Sequence, residues 1–86
     1  MNEQQVFEKV VSLIKPYAKN EAGFNSISKE SKILEDLGVN SARLVDIVLG
    51  FEDMFNIEIE DDAADDIWTI GDAINLIQVK LKDAAQ

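Results

Sequence analysis

A serine lies where the sequence changes from a loop into a helix. Gly38 and Asn40 precede Ser41, and an apolar pattern with helical spacing begins at Leu44. The first amide groups of a helix lack partners within the helix and carry partial positive charge, so an anion attached to Ser41 would be stabilised there. A simpler interpretation is that Asn40 or Ser41 only caps the helix, because both residue types accept hydrogen bonds from amides two or three residues later. The serine by itself favours the capping role.

Few other residues could do chemistry. The sequence has no histidine and no cysteine, which excludes imidazole bases, thiol nucleophiles, Ser-His-Asp triads and structural zinc sites. The acidic stretch from Glu58 to Asp66 lacks the glycine and the spacing of a calcium-binding loop, and it suits only weak, exchangeable binding of divalent cations. The sequence from Gly38 to Ser41 does not match the Gly-x-Ser-x-Gly turn of hydrolases. We therefore expect a protein that is not an enzyme and has no dedicated metal site.

The charge is unevenly distributed along the chain. The net charge is −9, and the segment 33–79 contains twelve acidic residues with Arg43 as its single basic residue. Such a field repels nucleic acid and attracts basic surfaces of other proteins. The sequence shows neither a membrane span nor a signal peptide, which predicts a cytoplasmic protein, and we expect it to be a monomer.

The residues around Ser41 form part of a longer pattern. It begins with Glu35-Asp36-Leu37-Gly38-x-x-Ser41 and continues with Leu44, Asp46, Phe51-Glu52, Phe55, Ile57-Glu58-Ile59 and Ala73-Ile74. From Ser31 to Ile77 the chain resembles acyl carrier proteins without a gap. The resemblance implies that Ser41, with Asn40 beside it, carries a covalent 4'-phosphopantetheine arm. Acyl intermediates would be tethered to that arm as thioesters and presented to enzymes of fatty-acid, lipid or polyketide synthesis.

The resemblance also implies partners. These are a phosphopantetheinyl transferase with coenzyme A, and acyl-transfer and chain-modifying enzymes with basic docking patches. Two alternatives remain open at this stage: a peptidyl or aminoacyl carrier, which shares the serine, and an acidic helical adaptor that is never modified.

The elements that position Ser41 follow from apolar spacing and helix signals. The spacing predicts a first helix from Glu3 to about Lys15, which should kink or stop near Pro16, and a second helix from about Ser41 to Asn56. A long loop, 19–32, separates them, with Gly38 providing the turn into the second helix. A short helix is predicted over 61–66, and a last helix is capped by Thr69. The predicted fold is a small all-α four-helix bundle, in a single domain spanning residues 1–86.

Three groups of side chains are predicted from these elements and from the resemblance. The core is expected to contain Val6, Val10, Ile14, Ile33, Leu37, Leu44, Val48, Phe51, Phe55, Ile59, Ile67, Ile74 and Ile77. An acyl pocket is predicted between the second helix and the rest of the bundle, lined by Leu44, Val48, Ile67 and Ile74. A partner surface is predicted at Arg43, Val45, Asp46, Leu49, Glu52 and Asp53.

The sequence departs from the family pattern next to the serine. The family usually has Asp-Ser-Leu with an acid two residues after the serine, whereas this chain has Asn40, Ser41, Ala42 and Arg43. We expect a specialised carrier whose dedicated partner offers an acid to Arg43. Two residues have no assigned role: Gly50, predicted on the outward side of the second helix, and Trp68, expected to cover the end of the bundle.

Overall fold

The protein is a four-helix bundle in the computed structural model, which describes residues 2–84. Its helices are α1 (Glu3–Ile14), α2 (Leu44–Phe55), α3 (Asp61–Ala64) and α4 (Ile70–Ala84). Short 3-10 helices cover Lys15–Tyr17, Glu21–Phe24 and Ser41–Arg43. Within residues 2–84 there is no β-strand, only two isolated bridges that pair Ala18 with Val39 and Lys32 with Thr69. The predicted all-α fold is confirmed.

The first helix begins and ends at local signals. The backbone amide of Gln5 donates to Asn2 Oδ1 at 2.8 Å, and the amide of Asn2 donates to Gln5 Oε1 at 3.1 Å, which forms a capping box. At the other end, Pro16 lies in the 3-10 turn Lys15–Tyr17 that closes α1. The predicted end of the helix at Pro16 is therefore confirmed.

The long first loop is held against the turn that precedes Ser41. The amides of Lys19 and Asn20 donate to the carbonyl oxygens of Gly38 and Leu37, at 3.2 and 3.1 Å. Gly38 has a φ of +70°, a conformation that costs a residue with a side chain roughly 1–2 kcal/mol. Glycine is thus required at this turn, as predicted.

Gly50 faces α1 and not the outward side of α2. A Cβ atom at this position would lie 2.8 Å from Cδ1 of Leu13, which is closer than van der Waals contact allows. The predicted outward position is wrong, because Gly50 faces the side chain of Leu13 on α1, which would have to shift to make room for a Cβ. The apolar periodicity of α2 could not predict this contact, because it gives no information on where the neighbouring helix lies.

The start of α4 is capped as predicted, but Trp68 does not cover the bundle. Thr69 Oγ1 accepts from the amide of Asp72 at 3.1 Å, and Asp72 Oδ2 accepts from the amides of Thr69 and Trp68. Ile67 and Ile70 on either side of this turn are buried, whereas Trp68 is 65% exposed. The expectation for Trp68 is wrong because the cap fixes its backbone with its neighbours turned inward.

One continuous core joins the helices to the loops. Every residue of the predicted core is buried except Leu44, which is half-buried at the first position of α2. The core also contains Val39, Ile47, Ile57, Ile70 and Ala73. No helix within residues 2–84 combines the length and the apolar character needed to cross a membrane.

Candidate functional site

The helix cap at Ser41 is provided by its neighbour. Asn40 has extended backbone geometry, and its Oδ1 accepts from the amide of Ala42 at 2.9 Å. The carbonyl oxygen of Asn40 accepts from the amide of Arg43 at 2.8 Å, which starts the 3-10 turn that leads into α2. Ser41 is the first residue of that turn and is exposed. Of the two capping candidates, Asn40 is the cap, so the Ser41 hydroxyl is not needed for that role.

A groove of about 220 Å³ lies beside Ser41. One wall is α2, and the other is formed by Ile59 together with α3 and the residue after it. Its lining consists of Ser41, Leu44, Val45, Val48, Leu49, Glu52, Ile59, Asp61, Ala64 and Asp65. It therefore runs along three turns of helix, with the serine at the N-terminal end of that face and Glu52 near the other end.

The groove contains only part of the predicted acyl pocket. Leu44 and Val48 line it, whereas Ile67 and Ile74 do not and are almost fully buried in the core. The wall formed by Ile59, Asp61, Ala64 and Asp65 was not part of the predicted pocket. No local pattern indicates it, because a one-turn helix has no periodicity that would show which face it presents to α2.

A larger and more open depression lies elsewhere on the molecule. Its volume is about 490 Å³, and it is lined by Glu3, Gln4, Phe7, Ser28 and Lys29. Two of these side chains, Lys29 and Glu3, form an ion pair with each other. Because none of the lining residues belongs to the segment around Ser41, this depression is not connected with the serine.

The predicted partner surface is largely exposed, but three of its charged side chains have partners within the chain. Val45 and Leu49 are 65% and 54% exposed on α2. Arg43 Nη1 lies 3.2 Å from Asp46 Oδ2, so the basic residue beside the serine is paired with an acid one turn later. Glu52 is half-buried and its Oε2 accepts from the amide of Ile59 at 3.3 Å, which links the two walls of the groove. Asp53 is exposed.

Comparison with known proteins shows the family of this chain. The acyl carrier protein of Prochlorococcus marinus (strain MIT 9515) is 35% identical over 80 residues, which are 93% of this chain and 98% of the relative. The acyl carrier protein of Guillardia theta is 37% identical over 81 residues, 94% of this chain and 98% of its own length. The chain belongs to the acyl carrier protein family. No protein-family model matches it.

The fold agrees with solved acyl carrier protein structures. The crystal structure of the acyl carrier protein from Thermotoga maritima superimposes with a TM-score of 0.79 at 25% identity and covers 98% of this chain and 95% of that one. The family-derived expectations for fold class and membership are thus confirmed. Acyl carrier proteins are carriers and not catalysts, which agrees with a sequence that contains no histidine or cysteine.

Proposed function

We propose that this protein carries acyl groups on a 4'-phosphopantetheine arm attached to Ser41. The observation that supports this is an exposed serine at the start of a helix, relieved of the capping role by Asn40, beside a groove with apolar walls. Together with membership of the acyl carrier protein family, this favours a carrier over an unmodified adaptor, and acyl cargo over peptidyl or aminoacyl cargo. One core that draws on residues from Val6 to Ile77 supports a single domain over 1–86. We also propose that it works as a monomer in the cytoplasm.

The residues around Ser41 suit such an arm. An anion on the Ser41 oxygen would lie at the positive end of the helical run Ser41–Phe55, where a negative charge is stabilised by about 0.3–1 kcal/mol. Asn40 holds the turn in place without needing the serine hydroxyl. When bound, the arm supplies the thiol that this sequence lacks.

We assign the groove beside Ser41 to the acyl cargo. Leu44 and Val48 offer apolar surface within it, and removal of a hydrocarbon chain from water is worth roughly 0.8 kcal/mol for each buried CH₂ group. In this proposal, Ile67 and Ile74 do not line the groove but form the buried layer behind its lining. Partner enzymes with basic patches would dock on the exposed face of α2, where Val45 and Leu49 lie among Asp46, Glu52 and Asp53.

Intact-protein mass spectrometry tests the proposed modification. Incubation of the purified chain with a broad-specificity phosphopantetheinyl transferase and coenzyme A should add the mass of one arm, and fragmentation should place it on Ser41. A different acyl carrier protein, incubated with the same transferase and coenzyme A, serves as the positive control for enzyme activity. An unchanged mass of this chain, while the control is modified, would contradict the proposal.

Arg43 and Ala42 are predicted to reduce recognition by basic enzymes of ordinary fatty-acid synthesis. Arg43 adds a positive charge beside the serine and also pairs with Asp46, which lowers the negative field of α2 at the docking surface. The double substitution Arg43→Asp with Ala42→Leu should therefore raise the loading rate by such an enzyme about tenfold at low salt, and weaken binding of the native partner. Stopped-flow loading kinetics at low and high ionic strength measure the effect.

Arg43→Gln separates charge from shape in this experiment. It removes the charge and frees Asp46 without adding an acid, so its loading rate should lie between those of the wild type and the double variant. Equal rates for all three proteins at low salt would show that Arg43 has no role in partner choice.

A further inference from the structure

The outer wall of the groove is tied to the bundle by two polar contacts at one short segment, 59–60. Glu52 Oε2 accepts from the amide of Ile59 at 3.3 Å, and Lys80 Nζ lies 3.2 Å from each carboxylate oxygen of Glu60. The first contact joins this segment to α2. The second joins it to α4, through a lysine that lies twenty residues after Glu60 in the sequence.

The wall beyond this segment has few attachments of its own. α3 is a single turn of four residues, and Ala63 and Ala64 on it are only half-buried. The apolar anchors are Ile59 at one end and Ile67 at the other, both more than 90% buried. The position of α3 relative to α2 therefore depends on the two ends of the wall and on the contacts that hold them.

Negative charge is concentrated around the segment that Lys80 contacts. Six acidic residues lie between positions 58 and 66, namely Glu58, Glu60, Asp61, Asp62, Asp65 and Asp66, and they repel one another. Among the ion pairs of the described residues, the pair of Lys80 with Glu60 is the one that reaches this stretch. The side chain of Lys80 is 22% exposed, the least of any side chain in those pairs, whereas that of Glu60 is 67% exposed, so solvent reaches this pair from the Glu60 side.

We propose that Lys80, through Glu60, limits how far the wall formed by Ile59 and α3 can move away from α2, and thereby sets the length of acyl chain that the groove accepts. Lys80 is a positioning residue, since it does not line the groove. Loss of its charge leaves the six acids without this attachment to α4, and the wall then moves outward at lower cost. The inference rests on the proposed function for its cargo, but the restraint itself is a property of the unmodified chain.

The restraint is tested first without any arm. Lys80→Met keeps the apolar stem and removes the charge, and Lys82→Met is the matched control with the same charge change on the same helix. Amide hydrogen exchange of the unmodified proteins should be up to about fivefold faster at Ile59, Ala64 and Asp65 in Lys80→Met, the factor that corresponds to an ion pair of this kind. The amide of Val10 in α1 should not change, and Lys82→Met should match the wild type at all four positions.

Chain-length selection is tested by thermal melting of proteins loaded with butyryl, octanoyl or dodecanoyl groups. In the wild type, the rise in melting temperature on loading should level off at a shorter chain than in Lys80→Met. A role in stability alone would lower every melting temperature of Lys80→Met equally and leave the dependence on chain length unchanged. The charge-swapped double variant Lys80→Glu with Glu60→Lys should restore the wild-type dependence.

The outcomes separate this inference from the proposed function. If exchange at Ile59, Ala64 and Asp65 is equal in Lys80→Met and Lys82→Met, the restraint does not exist and the inference is overturned, whatever the cargo. If exchange is faster in Lys80→Met but no chain alters the melting temperature of the wild type, the groove is not the acyl site, and length selection falls with it.

Discussion

Ser41→Ala is expected to abolish modification completely, with little effect on the stability of the fold. The substitution removes the one oxygen to which we assign the arm, so incubation with the transferase and coenzyme A should leave the mass of the variant unchanged. Because the helix cap is Asn40, the free energy of unfolding should change by no more than about 0.5 kcal/mol. Intact mass and urea denaturation, measured on the same preparation, check both parts.

Two matched variants make this result specific. Ser12→Ala removes an exposed serine from α1 and should still be modified at the wild-type rate. Asn40→Ala removes the cap and should lower the free energy of unfolding by about 0.5–2 kcal/mol, since the amide of Ala42 loses its partner. Modification of Ser41→Ala would show that the arm is attached elsewhere, and a larger stability loss in Ser41→Ala than in Asn40→Ala would show that the cap is misassigned.

Phe51→Ala is expected to lower the free energy of unfolding by about 3–5 kcal/mol. Phe51 has no exposed surface and is the largest of the fully buried side chains. It lies within the continuous core, so alanine would leave a cavity among close-packed side chains. Domains of this size are stable by only about 5–15 kcal/mol, so the variant should be close to unfolded at physiological temperature.

Urea denaturation followed by circular dichroism measures this loss. Leu49→Ala on the exposed face of the same helix is the control, and it should change the free energy of unfolding by less than about 0.5 kcal/mol. If unfolding remains two-state, the free energy of unfolding of both variants should fall with urea concentration at the same slope as in the wild type. A loss below about 1 kcal/mol for Phe51→Ala would contradict the packing of α2 against the bundle.

The helices could be predicted from the sequence because their signals are local. Apolar spacing marks the buried faces of α1, α2 and α4, while Pro16 and Thr69 mark an end and a beginning through chemistry that acts within one turn. The environments of Gly50 and Trp68 could not be predicted from local signals. The environment of Gly50 depends on Leu13 of another helix, and that of Trp68 depends on which of its neighbours are turned inward by the cap. The spacing of nearby residues indicates neither of these.

The sequence by itself indicated the candidate for modification and which chemistry is excluded. Ser41 follows Gly38 and precedes an apolar pattern of helical spacing, and a chain without histidine or cysteine has no imidazole base, no thiol nucleophile and no Ser-His-Asp triad. The prediction of an arm on Ser41 depends on the resemblance to acyl carrier proteins, whereas the excluded chemistry follows from residue types alone.

Only the tertiary structure decided where the groove lies and what holds it. Ser41 and Asp65 line the same groove, and Lys80 meets Glu60, although about twenty residues separate the members of each pair. The structure also showed that Ile59 and α3 line the groove beside Ser41, whereas Ile67 and Ile74 are buried in the core. Contacts between residues so far apart form when several helices pack at once, and no local pattern specifies that arrangement.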